Sequence, residues 1–159
     1  EQYFHYTHPQ NVRLVFDDAR TYVNRATQQY DAIVVDVYGD SSVPFSLMTR
    51  EFASKLAART AAGGVVYANI VAGTAGPCRE MFAAIDTAYR TQFSQAAYRN
   101  ASGGEEQWAN HIVAYARSTL QLPGLAKLPA MGGPLYTDNY APAERLHFAC
   151  RQSVPALDA

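Results

Sequence analysis

The stretch YDAIVVDVYGDSSVPFSLMTREF, residues 30–52, decides the fold prediction. Its apolar β-forming residues, 32–35, lead directly into the carboxylate of Asp36. A continuous apolar run of this kind is typical of a strand that is covered on both faces in a parallel sheet. Glycine, aspartate, serine and proline follow closely, which is typical of a loop. The sequence therefore predicts a strand over 31–37 and a loop over 38–44.

Strand and helix patterns alternate on both sides of this stretch. Met48, Phe52 and Leu56 are four residues apart, which predicts a helix that begins near residue 46. The predicted elements are a strand over 11–16, helices over 19–29, 46–60 and 79–89, a strand over 65–71, hairpin strands over 93–99 and 108–117, and a short helix over 142–147. This order predicts an α/β fold with a mostly parallel sheet, helices on both faces and a C-terminal antiparallel hairpin.

The composition favours one domain and argues against two classes of partner. The chain has 159 residues, of which 48% are hydrophobic, enough to fill a single core. Charged residues make up 17% of the chain, below the roughly 25% of an average soluble protein, and the formal net charge is −1. No apolar run reaches the roughly 18 residues that a membrane span requires. We therefore expect no nucleic-acid partner and no membrane partner, and small, nearly neutral ligands are favoured.

The cysteine and histidine patterns bear on the compartment and on metal binding. Cys78 and Cys150 lie far apart without CxxC spacing, which favours buried free thiols in a reducing compartment over a disulfide. The first ten residues contain neither the apolar core nor the basic lead of a signal peptide, so we expect a cytoplasmic protein. His5 and His8 form the only close histidine pair and have no cysteine or carboxylate at ligand spacing, so no metal site is predicted.

Polar residues at the predicted strand ends are the candidates for chemistry. In open parallel sheets, ligands bind beyond the carboxyl ends of the strands, and Asp18, Asp36 and Asn69 fall at or near three such ends. Asp36 could accept a proton or hold a cationic amine, or it could instead bond the N–H groups of its own loop. Asp18 could bind a ligand or cap the next helix. Tyr38 and Asp40 could line the cleft and give it charge, or they could be solvent-facing residues of the turn.

One element of a nucleotide site is missing from its usual place. A nucleotide-binding α/β domain carries a glycine-rich turn after its first strand and an acidic residue at the end of its second. Gly63 and Gly64 instead precede a predicted strand, and Gly103 and Gly104 lie in the hairpin connection. We therefore expect no complete cofactor cradle within this chain, because it lacks the glycine-rich cofactor loop.

Four stretches carry a family resemblance. VRLVFDDARTYV, YDAIVVDVYGDSSVPFSLMTREF and GGVVYANIV occur in the order found in the spermidine synthases, the polyamine aminopropyltransferases. Pro44 and the helix start Leu-x-Thr-x-Glu-Phe resemble the spermidine-synthase-like branch more closely. LYTDNYAPAERL, residues 135–146, is similar to the Thr-Asp-Asp-Tyr-Ala-Pro-x-Glu tail of the same group. The resemblance spans residues 3–148.

The resemblance implies a partial methyltransferase-like Rossmann fold. Residues 1–159 would form a single C-terminal portion of a spermidine-synthase-like catalytic domain, because the family's glycine-rich loop and ribose-binding acid precede this region. The family's sheet order also places two strands between the strands predicted over 11–16 and 31–37. The first of these would have no neighbour within the chain, and unpaired edges and exposed apolar faces would then promote self-association or lose order.

The resemblance also implies roles for individual residues. Asp18, followed by Ala19, matches the acid that contacts the adenine amino group. Asp36 matches the aspartate that lies beside the cofactor and serves as base or amine anchor. Tyr38 and Asp40 would bind substrate, because residues 38–44 match the loop that covers it. Family members usually have Asp-Ser-x-Asp-Pro at this point, whereas here the second acid is one residue later and its proline is absent, which leaves diamine recognition open.

The implied function is the transfer of an aminopropyl group from decarboxylated S-adenosylmethionine to a diamine such as putrescine, by a homodimer. Two other functions are compatible with the same residues. A methyltransferase would use S-adenosylmethionine itself and the Asp18 contact, but would not need an amine anchor at Asp36. A non-catalytic Rossmann-like ligand-binding module would account for the altered loop and the missing cofactor cradle.

Overall fold

The computed structural model describes residues 9–38, 43–101 and 109–153. Its elements are α1 (Ala19–Arg25), β1 (Tyr30–Val35), a 3-10 turn (Phe45–Leu47), α2 (Arg50–Arg59), β2 (Thr60–Ala72), α3 (Arg79–Arg90), β3 (Gln95–Asn100), β4 (Ala109–Ala116), β5 (Ala126–Lys127) and α4 (Ala143–Ser153). The α/β class is confirmed, and each predicted helix overlaps a helix of the structure. The predicted hairpin is also confirmed, since β3 and β4 pair antiparallel.

The sheet has the order β1-β2-β4-β3-β5. Only β1 and β2 pair parallel among the described residues, with α2 as their crossover helix, and the pairs β2–β4, β4–β3 and β3–β5 are antiparallel. The expectation of a mostly parallel sheet is therefore wrong. The physical reason lies in the hairpin, because β4 turns back from β3 and inserts between β3 and β2, antiparallel to both.

The helices of the described chain form one layer on one face of the sheet. The sequence had predicted helices on both faces. In this layer α1 contacts α2, α2 contacts α3 and α3 contacts α4, while α2 and α3 both contact β2. Alternate residues of β2 are buried, namely Val66, Ala68, Ile70 and Ala72, and the residues between them are only half-buried. Because successive side chains of a strand point to opposite faces, this alternation indicates one face packed under the helices and one face more open.

The segment 11–16 forms no strand, so that prediction is wrong. No strand of the described chain lies on the outer side of β1, and a strand needs a neighbour to satisfy its N–H and C=O groups. Phe16 is 96% exposed, and Val34 in β1 is 70% exposed. The apolar run of β1 is thus not covered on both faces. The family resemblance implied that residues 11–16 would have no neighbouring strand within the chain, and they pair with no strand here.

Cys78 and Cys150 form a disulfide, with an S–S distance of 1.98 Å and a sequence separation of 72. The expectation of free thiols is therefore wrong. Cys78 is the N-cap residue of α3 and Cys150 lies in α4, and the packing of α4 on α3 brings them together. Because the two cysteines are paired, the cysteine pattern no longer supports a reducing, cytoplasmic location. Within the ranges that the structure describes, no helix has the length and apolarity needed to cross a membrane.

Loss of the disulfide should lower the free energy of unfolding. Its closed loop is long, so replacing both Cys78 and Cys150 by Ala is expected to cost about 2–4 kcal/mol in urea denaturation. Adding dithiothreitol to the unaltered chain should lower the unfolding midpoint in the same direction, while the double variant should not respond to it. An unaltered chain that is insensitive to the reductant and titrates with two free thiols would contradict the pairing.

The open edge of β1 should promote self-association. Replacing Val34 by Lys places a charge at this edge, and charges there oppose strand pairing between chains. We expect sedimentation velocity to show a mass that rises with concentration for the unaltered chain and rises less for Val34→Lys. Phe148→Lys is the matched control, because Phe148 is similarly exposed, at 64%, but lies on α4. Equal effects of the two substitutions would exclude a specific role for the edge.

Candidate functional site

Asp36 lies at the carboxyl end of β1, and its position follows from the pairing of β1 with β2. The register places Val35 opposite Ala68, and both are buried under the helices. The next residue on each strand therefore points to the more open face of the sheet. There the Asn69 amide Nδ2 donates a hydrogen bond of 3.1 Å to Asp36 Oδ1. The carboxylate is exposed, and within the described residues this is its only hydrogen bond.

Tyr38 completes a small polar cluster with Asp36 and Asn69, which we call the Asp36 cluster. Its hydroxyl donates a hydrogen bond of 3.0 Å to the backbone carbonyl of Asn69. Burial and, to a smaller extent, the negative charge of Asp36 together raise the pKa of Tyr38 to about 12. At neutral pH the phenol therefore stays protonated. Asp36 is then the one member of the cluster that can accept a proton.

Asn69 is a site residue to which sequence reasoning gave no role. Its signal was a polar side chain within the otherwise apolar run 65–71. The side chain donates to Asp36, and its Oδ1 is buried without a hydrogen-bond partner in the described part of the chain. A buried acceptor without a donor is costly, so this oxygen is suited to receive an N–H or O–H from a bound molecule.

Asp18 caps α1. Its Oδ1 accepts a hydrogen bond of 2.8 Å from the backbone N–H of Thr21, and this contact holds the pKa of Asp18 below its ordinary value. Capping, the alternative weighed from the sequence, is thus the geometry observed. The carboxylate is also exposed, so the cap leaves it accessible to solvent and ligand. Among the described residues, no hydrogen bond or ion pair joins Asp18 to the Asp36 cluster.

An apolar groove of about 490 Å³ lies between α1, β1 and α2. Ala19 lines it, as do Val35 and Val37, the neighbours of Asp36 in the sequence. Its remaining walls come from residues 13–15, Asp17, Tyr22, Val23, Ile33, Val34, Phe52 and Leu56. Its volume is typical of small-molecule sites. Asp18, Asp36 and Tyr38 are not among its lining residues, so the structure places only Ala19 of the predicted residues in this groove.

A larger groove, of about 600 Å³, lies at the other edge of the sheet beside β3 and β5. It contains none of the candidate residues and lies away from the carboxyl end of β1, so the chemistry favours the smaller groove.

Part of the predicted site lies outside the described residues. This applies to Asp40, predicted to bind substrate, and to the whole central part of its loop, 39–42. It also applies to His5 and His8. In the parts of the chain that are described, no group of three or more histidine, cysteine, aspartate or glutamate residues could hold a metal ion.

Comparison with known proteins finds similarity both in sequence and in fold. No protein-family model matches the chain. A polyamine aminopropyltransferase of Vibrio vulnificus (strain CMCP6) is 38% identical over 72 residues, which covers 43% of this chain and 24% of that protein. A probable spermidine synthase from Corynebacterium glutamicum ATCC 13032 has a TM-score of 0.64 at 19% identity, over 77% of this chain and 44% of the other. Human methyltransferase-like protein 13, solved with SAH, has a TM-score of 0.60 at 18% identity, over 99% of this chain and 68% of the other.

The two kinds of comparison carry different weight. The structural likenesses fall below 25% identity and show the fold, which is the Rossmann-like fold of spermidine synthases and methyltransferases. The sequence match carries the relationship to the aminopropyltransferases, and the chain spans about a quarter of that relative's length. This chain is therefore similar to a polyamine aminopropyltransferase in sequence over 43% of its length and to a probable spermidine synthase in fold over 77% of it.

Proposed function

We propose that this chain supplies the amine-activating side of an aminopropyltransferase site. The observation that carries the proposal is the exposed carboxylate of Asp36, held through one oxygen by Asn69 at the end of β1. A carboxylate in that state is fixed in orientation and retains the capacity to accept a proton. The acceptor substrate would be a diamine, and the donor would be decarboxylated S-adenosylmethionine as co-substrate.

The reaction requires a neutral amine, because an ammonium has no lone pair with which to attack. Asp36 would take the proton from the ammonium, and the freed nitrogen would attack the propyl carbon beside the sulfonium. A nitrogen–carbon bond forms, the carbon–sulfur bond breaks, and the sulfur keeps the electron pair. The products are a longer polyamine and methylthioadenosine. General-base assistance of this kind is typically worth roughly 10²- to 10⁴-fold in rate.

The other two members of the Asp36 cluster would hold the base in place. The hydrogen bond from Asn69 fixes one carboxylate oxygen, and the Tyr38 hydroxyl ties the start of the following loop to the backbone of Asn69. Together the two bonds would favour one orientation of the Asp36 side chain at the end of the strand. Asp40, which lies outside the described residues, would hold the distal ammonium by a charge-assisted hydrogen bond.

The nucleoside would lie along the apolar groove. Ala19 contributes to its wall, and a flat adenine ring suits an apolar groove of about 490 Å³. Asp18 is next to Ala19 in the chain. Its exposed carboxylate would accept a hydrogen bond from the adenine amino group while still capping α1. Val35 and Val37, the neighbours of Asp36 in the sequence, line the groove, so a bound nucleoside would reach the end of β1 at which Asp36 lies on the opposite, more open face of the sheet.

A methyltransferase is the second candidate, and one observation favours it. The human methyltransferase-like protein is similar in fold over 99% of this chain and was solved with SAH. Its co-substrate would be S-adenosylmethionine, and it would use the groove beside Ala19 without requiring a base at Asp36. A non-catalytic ligand-binding module is the remaining alternative.

Ligand preference should separate these functions. For an aminopropyltransferase we expect isothermal titration calorimetry to show tighter binding of methylthioadenosine than of S-adenosylhomocysteine, since the latter carries an α-carboxylate that the decarboxylated substrate lacks. The opposite order would favour a methyltransferase, and binding of neither would favour the non-catalytic module. The titration is made on this chain and on the same chain with any natural sequence that precedes it.

Substitution of Asp36 should remove transfer without removing the nucleoside. In a preparation that transfers aminopropyl groups, Asp36→Asn should reduce kcat by roughly 10²-fold or more, because an amide cannot accept the proton. Methylthioadenosine affinity should be unchanged. Asp31→Asn is the matched control, since Asp31 is an exposed aspartate of the same strand. A fully active Asp36→Asn variant would exclude Asp36 as the base.

The proximity of Tyr38 to Asp36 can be tested by titration. Burial and the Asp36 charge both disfavour the phenolate, so Tyr38 should ionise with a pKa of about 12. Asp36→Asn removes the charge but not the burial, and the pKa should fall towards the ordinary value of about 10 without reaching it. The measurement is NMR of tyrosine labelled with ¹³C at Cζ, with the resonance assigned by Tyr38→Phe. If Asp36→Asn left the pKa of Tyr38 unchanged, the two groups would lie too far apart to interact.

A further inference from the structure

The C-terminal segment 129–142, which we call the strap, joins β5 to α4 and crosses the helix layer. It lies tightly on α3. The backbone N–H of Met131 donates to Asp86 Oδ2 at 3.1 Å, and that of Gly133 donates to Thr87 Oγ1 at 3.1 Å. A Cβ atom at Gly133 would lie 2.6 Å from a backbone atom of Ala83, so only glycine permits this approach.

The strap then reaches the start of α2. Tyr136 is fully buried, and its backbone carbonyl accepts a hydrogen bond of 2.9 Å from the N–H of Arg50. Thr137 and Tyr140 close a turn through two reciprocal backbone hydrogen bonds of 3.0 Å. Asp138 lies within this turn, and its N–H donates to Glu51 at 3.0 Å. This turn is the Thr-Asp-Asn-Tyr motif of the sequence, to which the proposed chemistry gives no role.

Asp138 is bound through both carboxylate oxygens. Oδ1 accepts a hydrogen bond of 2.7 Å from the Thr49 hydroxyl, and Oδ2 forms an ion pair of 2.5 Å with the Arg20 guanidinium. Burial alone would raise the pKa of Asp138, but the bonds from Thr49 and Arg20 outweigh it and hold this pKa below its ordinary value. The carboxylate is therefore charged at neutral pH and faces a charged partner.

Arg20 connects the strap to two parts of the proposed site. It is the second residue of α1 and directly follows Ala19, which lines the groove. Its other terminal nitrogen donates to the backbone carbonyl of Ser46, in the 3-10 turn that follows the loop 38–44, and to Thr49 Oγ1 at 3.0 Å. The guanidinium side chain is only 17% exposed and lies over the ring of Phe52. A planar fork of this kind fixes several partners at once, which a lysine ammonium cannot do.

The helix α1 has few other anchors. It is seven residues long and has no fully buried residue. A helix of this length is not stable in isolation, so contacts with the rest of the chain must fix it. The fork of Arg20 supplies charged, directional contacts at its first turn, where Ala19 faces the groove.

We infer that Arg20 and Asp138 form a positioning latch, in which the strap fixes the first turn of α1 against the 3-10 turn and so holds the Ala19 wall of the nucleoside groove. The inference rests on the proposed function for the identity of the ligand. Neither residue is assigned contact with the substrate, and both act through the backbone that they hold.

The latch makes a prediction for binding. Arg20→Lys retains the charge but loses the fork, and Asp138→Asn retains an acceptor for Thr49 but loses the charge. Each variant should weaken methylthioadenosine binding roughly tenfold, in line with the strength of a charge-assisted hydrogen bond. The double variant should lose little more than Arg20→Lys alone, because the pair with Asp138 is one of the contacts that Arg20→Lys already disrupts. Arg25→Lys is the matched control, since Arg25 lies on the same helix but pairs with Asp17 and is 62% exposed.

A second readout is independent of the ligand. Hydrogen exchange of the backbone amides in 19–25 and 45–48 should become faster in Arg20→Lys and Asp138→Asn and stay unchanged in β2 and β4. Additive losses of affinity, or unchanged exchange in α1, would overturn the latch. If the unaltered chain binds neither methylthioadenosine nor S-adenosylhomocysteine, the proposed function fails, and the exchange data alone decide for or against the latch.

Discussion

The parallel pairing of β1 with β2 is the constraint on which the candidate site depends. Its register sets Val35 opposite Ala68, and the next residues on the two strands, Asp36 and Asn69, then meet on the open face. A slip of one residue would exchange the faces of every side chain in the strand. The buried valine and the exposed carboxylate are therefore fixed by the same hydrogen bonds, and the core position of one determines the accessibility of the other.

The sequence correctly predicted those helices and strands that are specified by the spacing of neighbouring residues. Helical spacing predicted a helix over 79–89, and α3 is Arg79–Arg90. It also predicted an accessible carboxylate directly after an apolar strand, and Asp36 is exposed at that place. The strand predicted over 11–16 failed for a non-local reason. An apolar run forms a strand only if it pairs with a neighbouring strand, and residues 11–16 pair with none of the strands of the described chain.

The contacts that sequence reasoning missed are those between distant residues. The disulfide joins residues 72 apart, and Arg20 and Asp138 are 118 apart. Spacing along the chain carries no information about either pair, because each depends on how the strap and α4 pack on the helix layer. Asn69 is a different case. It was noticed as a polar residue near a strand end, but its role requires the register with β1, which only the structure provides.

These distant contacts explain why the C-terminal part belongs to the same structural unit as the Asp36 strand. The strap is bound to α3 at Gly133 and, through α4, by the disulfide at Cys78. Between these two anchors it has little freedom, so Asp138 is presented to Arg20 at a fixed point. A charge pair contributes most when both partners are already held, because little side-chain and backbone entropy is then lost in forming it. The same ion pair would contribute little on a mobile surface. Because the strap is anchored on both sides, the pair constrains α1 effectively.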